Sequence, residues 1–265
     1  MNAILSSSPP PPRIIGHRGA SLKAPENTLA GLRHAHALGA RWVEFDVQAT
    51  RDDCPILLHD ARLERTTDGR GIAAERSAAD IATLDAGRWF AAQYRGERVP
   101  RLDEALALLD ALAMGAVIEV KAAPGDGPRT MRATLAALSR CGTAGGIVLS
   151  SFAADALAVA QAAAPGIPRA LIVKSVPADW RVRTERLQCA ALHADHRALD
   201  AAIVAAVSAH LPLRAYTVNA PERARTLFAW GAAAVFTDCP DVLISGVRHQ
   251  TAGPAAAGLK GSREK

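Results

Sequence analysis

Short apolar runs rich in Val and Ile alternate along the chain with alanine-rich stretches whose apolar positions recur at helical spacing. That alternation is the mark of β-α-β units feeding a parallel sheet. The first run, Arg13-Ile14-Ile15, stops at Gly16. A helix is predicted next, from about Asn27 to Leu38, with Pro25 before it, Asn27 or Thr28 as its cap and Gly39 closing it. Trp42 to Asp46 reads as the second strand, and later strands are expected at 116–120, 146–149, 169–173, 191–194, 213–218 and 233–236. Helical stretches fall between them at 102–112, 128–140, 154–163, 179–186, 200–210 and 221–230. Eight strands alternating with helices over residues 13–250 match the ~250 residues of a single (β/α)8 barrel, the TIM barrel. An open, doubly wound sheet is the competing arrangement.

Residues 48–100 break the rhythm. An apolar piece at 55–58 is followed by a polar loop with Gly69 and Gly71 and then by the stretch 80–94. The expected fold is therefore α/β, a TIM barrel with a small insertion, about 48–100, after the second strand, containing a hairpin and a helical lobe. An insertion there emerges at the C-terminal face, where barrel active sites lie. Residues 1–12, ending in Pro9 to Pro12, read as a disordered Pro-rich stub, and 251–265 as a disordered tail.

Composition supports this and narrows the class. The chain has 58 alanines and eleven aromatic residues among 265, so its core needs close backbone approach rather than bulky side chains. That suits helices laid on a sheet better than a β-sandwich. A charged fraction of 22% with 49% apolar residues excludes a disordered chain. The net charge of +5 comes without a basic block, which disfavours a nucleic-acid partner. Cys54, Cys141, Cys189 and Cys239 form no CxxC pair and read as free thiols in a reducing compartment. With no leader-like N-terminus and no apolar run of membrane-spanning length, the expectation is a soluble, cytoplasmic protein without stable membrane insertion.

Candidate chemistry collects at strand ends. Glu44 and Asp46 are two apart on the second strand, so they share one face with Trp42 while Val43 and Phe45 point to the other. Two carboxylates so placed repel unless a cation or a shared proton sits between them, or a basic side chain pairs with one. Glu119 and Lys121 repeat the arrangement in Val117-Ile118-Glu119-Val120-Lys121. Glu44, Asp46 and Glu119 together supply three hard oxygen ligands suited to Mg2+ or Ca2+. Lys121 adds a fixed cation, useful when the ligand is strongly anionic. His17 and His59 follow apolar runs, and two imidazoles flanking one substrate can serve as acid and base. The other six histidines read as surface or packing residues, with only His193, on the sixth strand, near the mouth.

The ordered motifs Gly16-His17-Arg18-Gly19, Pro25-Glu26-Asn27-Thr28, Glu44-x-Asp46, His59-Asp60 and Leu63-x-Arg65-Thr66-Thr67-x-Gly69-x-Gly71 resemble the glycerophosphodiester phosphodiesterase family. Ile118-Glu119-Val120-Lys121, Ser150-Ser151-Phe152, Tyr216-Thr217-Val218-Asn219 and Phe236-Thr237-Asp238-x-Pro240 continue the resemblance across nearly all of residues 13–246. It implies a TIM barrel and metal-dependent hydrolysis of small glycerophosphodiesters, such as glycerophosphocholine or glycerophosphoethanolamine, to sn-glycerol 3-phosphate and an alcohol. It also implies that His17 and His59 are the acid/base pair, that Glu44, Asp46 and Glu119 hold the metal, and that Arg18 and Lys121 bind phosphate. Phe152, Tyr216 and Asn219 would shape the glycerol end of the pocket; Tyr216 stands where the family often carries Trp. Glu26 is expected to support the site, Asp60 and Arg65 to orient His59 or the insertion, and Asp238 to cap a turn. The alternatives are a phospholipase D-like or lysophospholipase D-like activity on the same barrel, or a non-catalytic phosphoester-binding protein.

Overall fold

A computed structural model describes residues 10–121, 126–141 and 145–248; the tail and the first nine residues of the stub lie outside them. The chain runs β1 (Ile14–Gly16), α1 (Leu29–Ala37), β2 (Trp42–Ala49), β3 (Pro55–Leu57), α2 (Ala78–Ile81), α3 (Leu102–Ala111), β4 (Gly115–Val120) and α4 (Gly127–Arg140). It continues β5 (Ile147–Ser151), α5 (Ala154–Ala163), β6 (Arg169–Val173), α6 (Trp180–Arg186), β7 (Ala191–Asp195), α7 (Ala201–Ser208), β8 (Leu213–Tyr216), α8 (Pro221–Trp230), β9 (Ala234–Thr237) and α9 (Pro240–Arg248). All strands except β3 pair in parallel, in the order β1-β9-β8-β7-β6-β5-β4-β2, and β1 also pairs with β2 through Gly16 and Val43. That last pairing closes the sheet into a (β/α)8 barrel and excludes the open, doubly wound alternative.

The second strand runs three residues further than expected. β2 continues to Ala49, and β3 returns antiparallel along its extension, pairing Leu57 with Val47. This places His59 just beyond β3, with the Leu58 amide donating to the Asp46 carbonyl at 3.1 Å. The rest of the excursion holds only short helical turns and α2 around its own small core of Ile56, Leu63, Ile81 and Val99.

Strand alternation sorts the core. Val43, Phe45 and Val47 of β2 pack outward with Leu32, Leu106 and Leu109 of the surrounding helices. Ile15, Trp42, Val117, Val148, Ala170, Ala191, Ala234 and Phe236 fill the lumen. Alanines on three of those strands make room for Trp42 and Phe236, so the alanine excess serves the lumen as well as the helix faces. Gly115 does the same at the start of β4, where a Cβ would lie 2.2 Å from the Trp42 ring. At the N-terminal end of the barrel the buried Arg169 donates to the carbonyls of Ala164, Pro165, Ile167, Leu187 and Gln188, tying the ends of α5 and α6 to β6.

Two expectations change in detail. The cap of α1 is Thr28, whose hydroxyl accepts from the Gly31 amide at 3.0 Å, while Asn27 sits outside the helix at a positive φ of 54°. α9 was not anticipated; it starts at Pro240, an N-terminal position that proline tolerates, and buries Leu243 with Leu227 and Val235. The four cysteines are free thiols, and no described helix is long and apolar enough to cross a membrane.

Candidate active site

The C-terminal ends of β1, β2, β4 and β9 and the two segments that leave β1 and β2 bring the expected chemistry together. Oxygen atoms of Glu44, Asp46 and Glu119 lie within 4.8 Å of one another, largely shielded from solvent. The register explains this: Asp46 on β2 stands directly opposite Glu119 on β4, and Glu44 is one inward position below Asp46. The three carboxylates are not equivalent. The Asp46 carboxylate accepts from the Asn27 amide at 2.8 Å and lies 3.4 Å from Arg18 Nε and 3.6 Å from Lys121 Nζ. Although burial raises its pKa, Arg18, Lys121 and His59 outweigh it and hold the group below the usual carboxylate value. Glu44 has weaker support: burial and the charges of Asp46 and Glu119 outweigh His17 and Arg18 and push it up to about 8. Burial and Asp46 also raise Glu119, although Lys121 Nζ donates to it at 2.8 Å.

Each histidine sits on a carboxylate of its own. His17 Nδ1 is 2.6 Å from Asp238 Oδ1, and His59 Nδ1 is 2.6 Å from Asp60 Oδ1. Ionised carboxylates only accept, so both rings carry their proton on Nδ1 and leave Nε2 for the site. His17 Nε2 lies 3.9 Å from Glu44. Burial lowers the pKa of His17, but the Asp238 hydrogen bond and the Glu44 charge overcome it and raise the group above its ordinary value. His59 goes the other way: burial, with Arg18 and Lys121 nearby, outweighs Asp46 and Asp60.

The segment after β1 is wrapped tightly. The His17 amide donates to the Thr237 carbonyl, the Arg18 amide to the Glu44 carboxylate, and the Gly19 amide to the Glu44 carbonyl. Gly19 has φ +89°, and a Cβ there would meet the Gly31 backbone at 2.7 Å, so only glycine fits between β1 and α1. Arg18 extends from this loop and donates through Nη1 to Glu26 at 2.9 Å, while its buried Nε has no hydrogen-bond partner.

The structure places the remaining candidates as follows. Phe152 is exposed beside the mouth, edge-on to Tyr216 with ring centres 6.3 Å apart and 6.0 Å from Lys121 Nζ. The Tyr216 hydroxyl donates to the Val173 carbonyl. Asn219 is engaged with the loop after β9: its amide donates to Asp238 Oδ2 at 2.8 Å, and its carbonyl accepts from the Asp238 amide and the Thr237 hydroxyl. It thus holds the carboxylate that holds His17, and Ser21 donates to that carboxylate from the other side. Asp238 is the partner of His17 rather than a turn cap, and Asn27, taken for a possible cap, anchors Asp46 through both ends of its amide. The position of Asp238 just past the end of the last strand was the available signal for it. Asn27 carried no such signal, because its role arises from a left-handed backbone turn.

Below the carboxylates a cavity of about 30 Å3 is lined by His17, Glu44, Glu119, Ser150, His193 and Tyr216 among others. Glu44 Oε1 and Ser150 Oγ are buried without hydrogen-bond partners. His193 does approach the site, as its strand suggested. It is fully buried, 3.2 Å from the Arg214 guanidinium, and burial with that charge keeps it neutral. A larger cavity of about 340 Å3 lies within the insertion, lined by none of the site residues.

Fold and site define a (β/α)8-barrel enzyme site for an anionic substrate, with three clustered carboxylates, paired histidines and two cations at one rim. The chain belongs to the glycerophosphoryl diester phosphodiesterase family, whose model matches residues 17–242. It is 32% identical to a glycerophosphodiester phosphodiesterase of Bacillus subtilis, over 88% of this chain and 86% of that one. A second relative of the same description, from Caldanaerobacter subterraneus, is 29% identical over 89% of this chain and 97% of its own length. Among solved structures, an Oleispira antarctica phosphodiesterase in complex with the product sn-glycerol-3-phosphate superposes with a TM-score of 0.87 at 36% identity, covering 89% of this chain and 97% of that one.

Proposed function

We propose that this protein hydrolyses small glycerophosphodiesters, such as glycerophosphocholine or glycerophosphoethanolamine, to sn-glycerol 3-phosphate and an alcohol. The observation that carries the reading is the pair of histidines, each 2.6 Å from a carboxylate of its own, at the same rim as the Glu44, Asp46 and Glu119 cluster. A protein that only binds a phosphoester has no use for two such proton carriers. Family membership and the product found in the Oleispira relative support the same substrate class.

The cluster fits a divalent cation. Its donors are all oxygen, and Glu44 Oε1 is buried without a hydrogen-bond partner. Glu44, Asp46 and Glu119 would hold Mg2+ or Ca2+, which when bound supplies positive charge to the phosphoryl oxygens and relieves the repulsion among the three carboxylates. The chain's own residues do the rest. Arg18 and Lys121 bind the non-bridging oxygens and neutralise the charge that repels a nucleophile. One histidine removes a proton from the attacking oxygen, which belongs to water or to the glycerol 2-hydroxyl, and the other protonates the departing alkoxide. In the cation-free protein His17 is raised above its ordinary value and His59 is lowered below it. Phe152 and Tyr216 border the mouth where the glycerol end enters. Asn219 contributes by holding Asp238. The free thiols fit a cytoplasmic setting.

The deciding experiment couples sn-glycerol 3-phosphate release from glycerophosphocholine to a dehydrogenase readout, with and without divalent cation. Cation-dependent release is expected. Cleavage of lysolipids alone would replace this reading with a lysophospholipase D-like one, and full turnover in excess EDTA would remove the cation from it.

A further inference from the structure

Arg65 lies in the insertion, outside the barrel, and bonds to neither histidine nor any of the three clustered carboxylates. Its guanidinium nevertheless grips two carboxylates at once. Nε and Nη2 donate to Asp60 Oδ2 and Oδ1 at 2.5 and 3.1 Å, and Nη1 and Nη2 donate to Glu26 Oε2 and Oε1, both at 2.8 Å. Each carboxylate turns an oxygen shared with Arg65 toward a functional side chain. Asp60 Oδ1 meets His59 Nδ1 at 2.6 Å, and Glu26 Oε1 meets Arg18 Nη1 at 2.9 Å. The result is a continuous chain from His59 through Asp60, Arg65 and Glu26 to Arg18.

We propose that Arg65 is a positioning residue that sets His59 and Arg18 together, each through its own carboxylate. The proposal rests on the roles of His59 and Arg18 given above. Asp60 adjoins His59 in a polar segment with no regular secondary structure, and a lone carboxylate there is free to rotate off the ring. Two parallel bonds from a planar guanidinium fix that rotation and keep the His59 proton on Nδ1, with Nε2 toward substrate. The same fork fixes Glu26, which holds Arg18 through Nη1 and so sets where its guanidinium lies beside Asp46. A lysine cannot reproduce this, because an ammonium is a point charge that lacks the two-edged fork. The insertion thereby reaches into the site: it sets the proton carrier and the phosphate cation as one unit.

The test compares Arg65→Met, Arg65→Lys, Asp60→Asn and Glu26→Gln in the full chain, in kcat, in KM and in the 15N spectrum of His59 recorded without metal. Arg65→Met is expected to cost roughly tenfold to a hundredfold in kcat/KM, divided between a lower kcat and a higher KM. Asp60→Asn should reproduce the kcat part and Glu26→Gln the KM part. Arg65→Met added to the Asp60→Asn/Glu26→Gln double variant should cost nothing further, and Arg65→Lys should rescue only in part. The 15N spectrum should show the Nδ1-protonated form of His59 in the native chain and a mixture in Arg65→Met. If Arg65→Met lowers only the melting temperature, with kcat, KM and the His59 tautomer unchanged, Arg65 is a fastener of the insertion and the proposal is wrong. If His59→Ala keeps full activity, the role of His59 itself falls, a result the spectrum keeps separate from the positioning effect.

Discussion

His17 and His59 have the same kind of partner but opposite shifts, and the difference comes from their neighbours. Burial lowers both; at His17 the Asp238 hydrogen bond and then Glu44 overcome it, while at His59 Arg18 and Lys121 add to burial and outweigh Asp46 and Asp60. Replacing either by alanine is expected to cost at least about a hundredfold in kcat with the fold intact by circular dichroism. Near-native turnover by either purified variant would remove it from the acid–base pair. Asn219 and Asp238 show how chemistry passes outward from such a group. Asp238 is pulled down to about 2 because hydrogen bonds from His17, Ser21 and Asn219 outweigh its burial, so it stays charged beneath His17 throughout the neutral range. His17-Arg18 and His59-Asp60 were legible as local motifs. The link between residues 17 and 238 was not, because it exists only once β9 lies beside β1.

Elements contribute through the two ends of the barrel, which divide function from stability. The C-terminal ends of β1, β2, β4 and β9 carry the histidine and carboxylate chemistry, and the N-terminal end carries Arg169. Its guanidinium serves five carbonyls that terminate α5, α6 and the loops beside them, with burial lowering its pKa. Arg169→Leu leaves those acceptors unpaired away from water and is expected to lower stability by about 2–4 kcal/mol in urea denaturation. The kcat and KM of the folded variant should be unchanged, because the site is at the other rim; a selective loss of kcat would contradict this division of labour. Except that β2 runs three residues past Asp46 to Ala49, strand positions were legible within one or two residues, because buried parallel strands read as Val- and Ile-rich runs between alanine-rich helices. The helical lobe and α9 were less so. Their turns are short and owe their form to packing against the barrel rather than to a repeating apolar period.

The whole molecule is arranged around a concentration of negative charge. Glu44 is raised to about 8 in the cation-free protein, against an ordinary value of 4.5. Between those values the folded chain keeps a proton that the unfolded chain has lost. Stability of the cation-free protein therefore falls as pH rises through this window. A divalent cation bound by Glu44, Asp46 and Glu119 would replace that proton, so its stabilising effect should grow with pH. The expected result is a melting temperature that drops from pH 5 to pH 8 in EDTA and is restored by Mg2+ or Ca2+ more strongly at pH 8 than at pH 5. Glu44→Gln should flatten the drop. An equal gain from cation at both pH values, or a gain undiminished in Glu119→Gln, would place the cation elsewhere.

Closure of the barrel rests on the β1–β2 pairing, but the order of apolar runs and the spacing of motifs were enough to point to a parallel α/β fold with an insertion after the second strand, to a family resemblance and to the inventory of reactive side chains. Those properties are local: a strand's period, a cap, a pair of residues two apart on one face. The tertiary structure alone decided how the inventory is wired. Asp46 and Glu119 are separated by a large stretch of chain and become neighbours because β2 and β4 align in one register. Asn27 becomes an anchor of Asp46, Asp238 the partner of His17, and Arg65 the bridge from His59 to Arg18. Charge interactions and hydrogen bonds act over a few ångströms of space whatever the distance along the chain, so their partners are set by how the barrel closes.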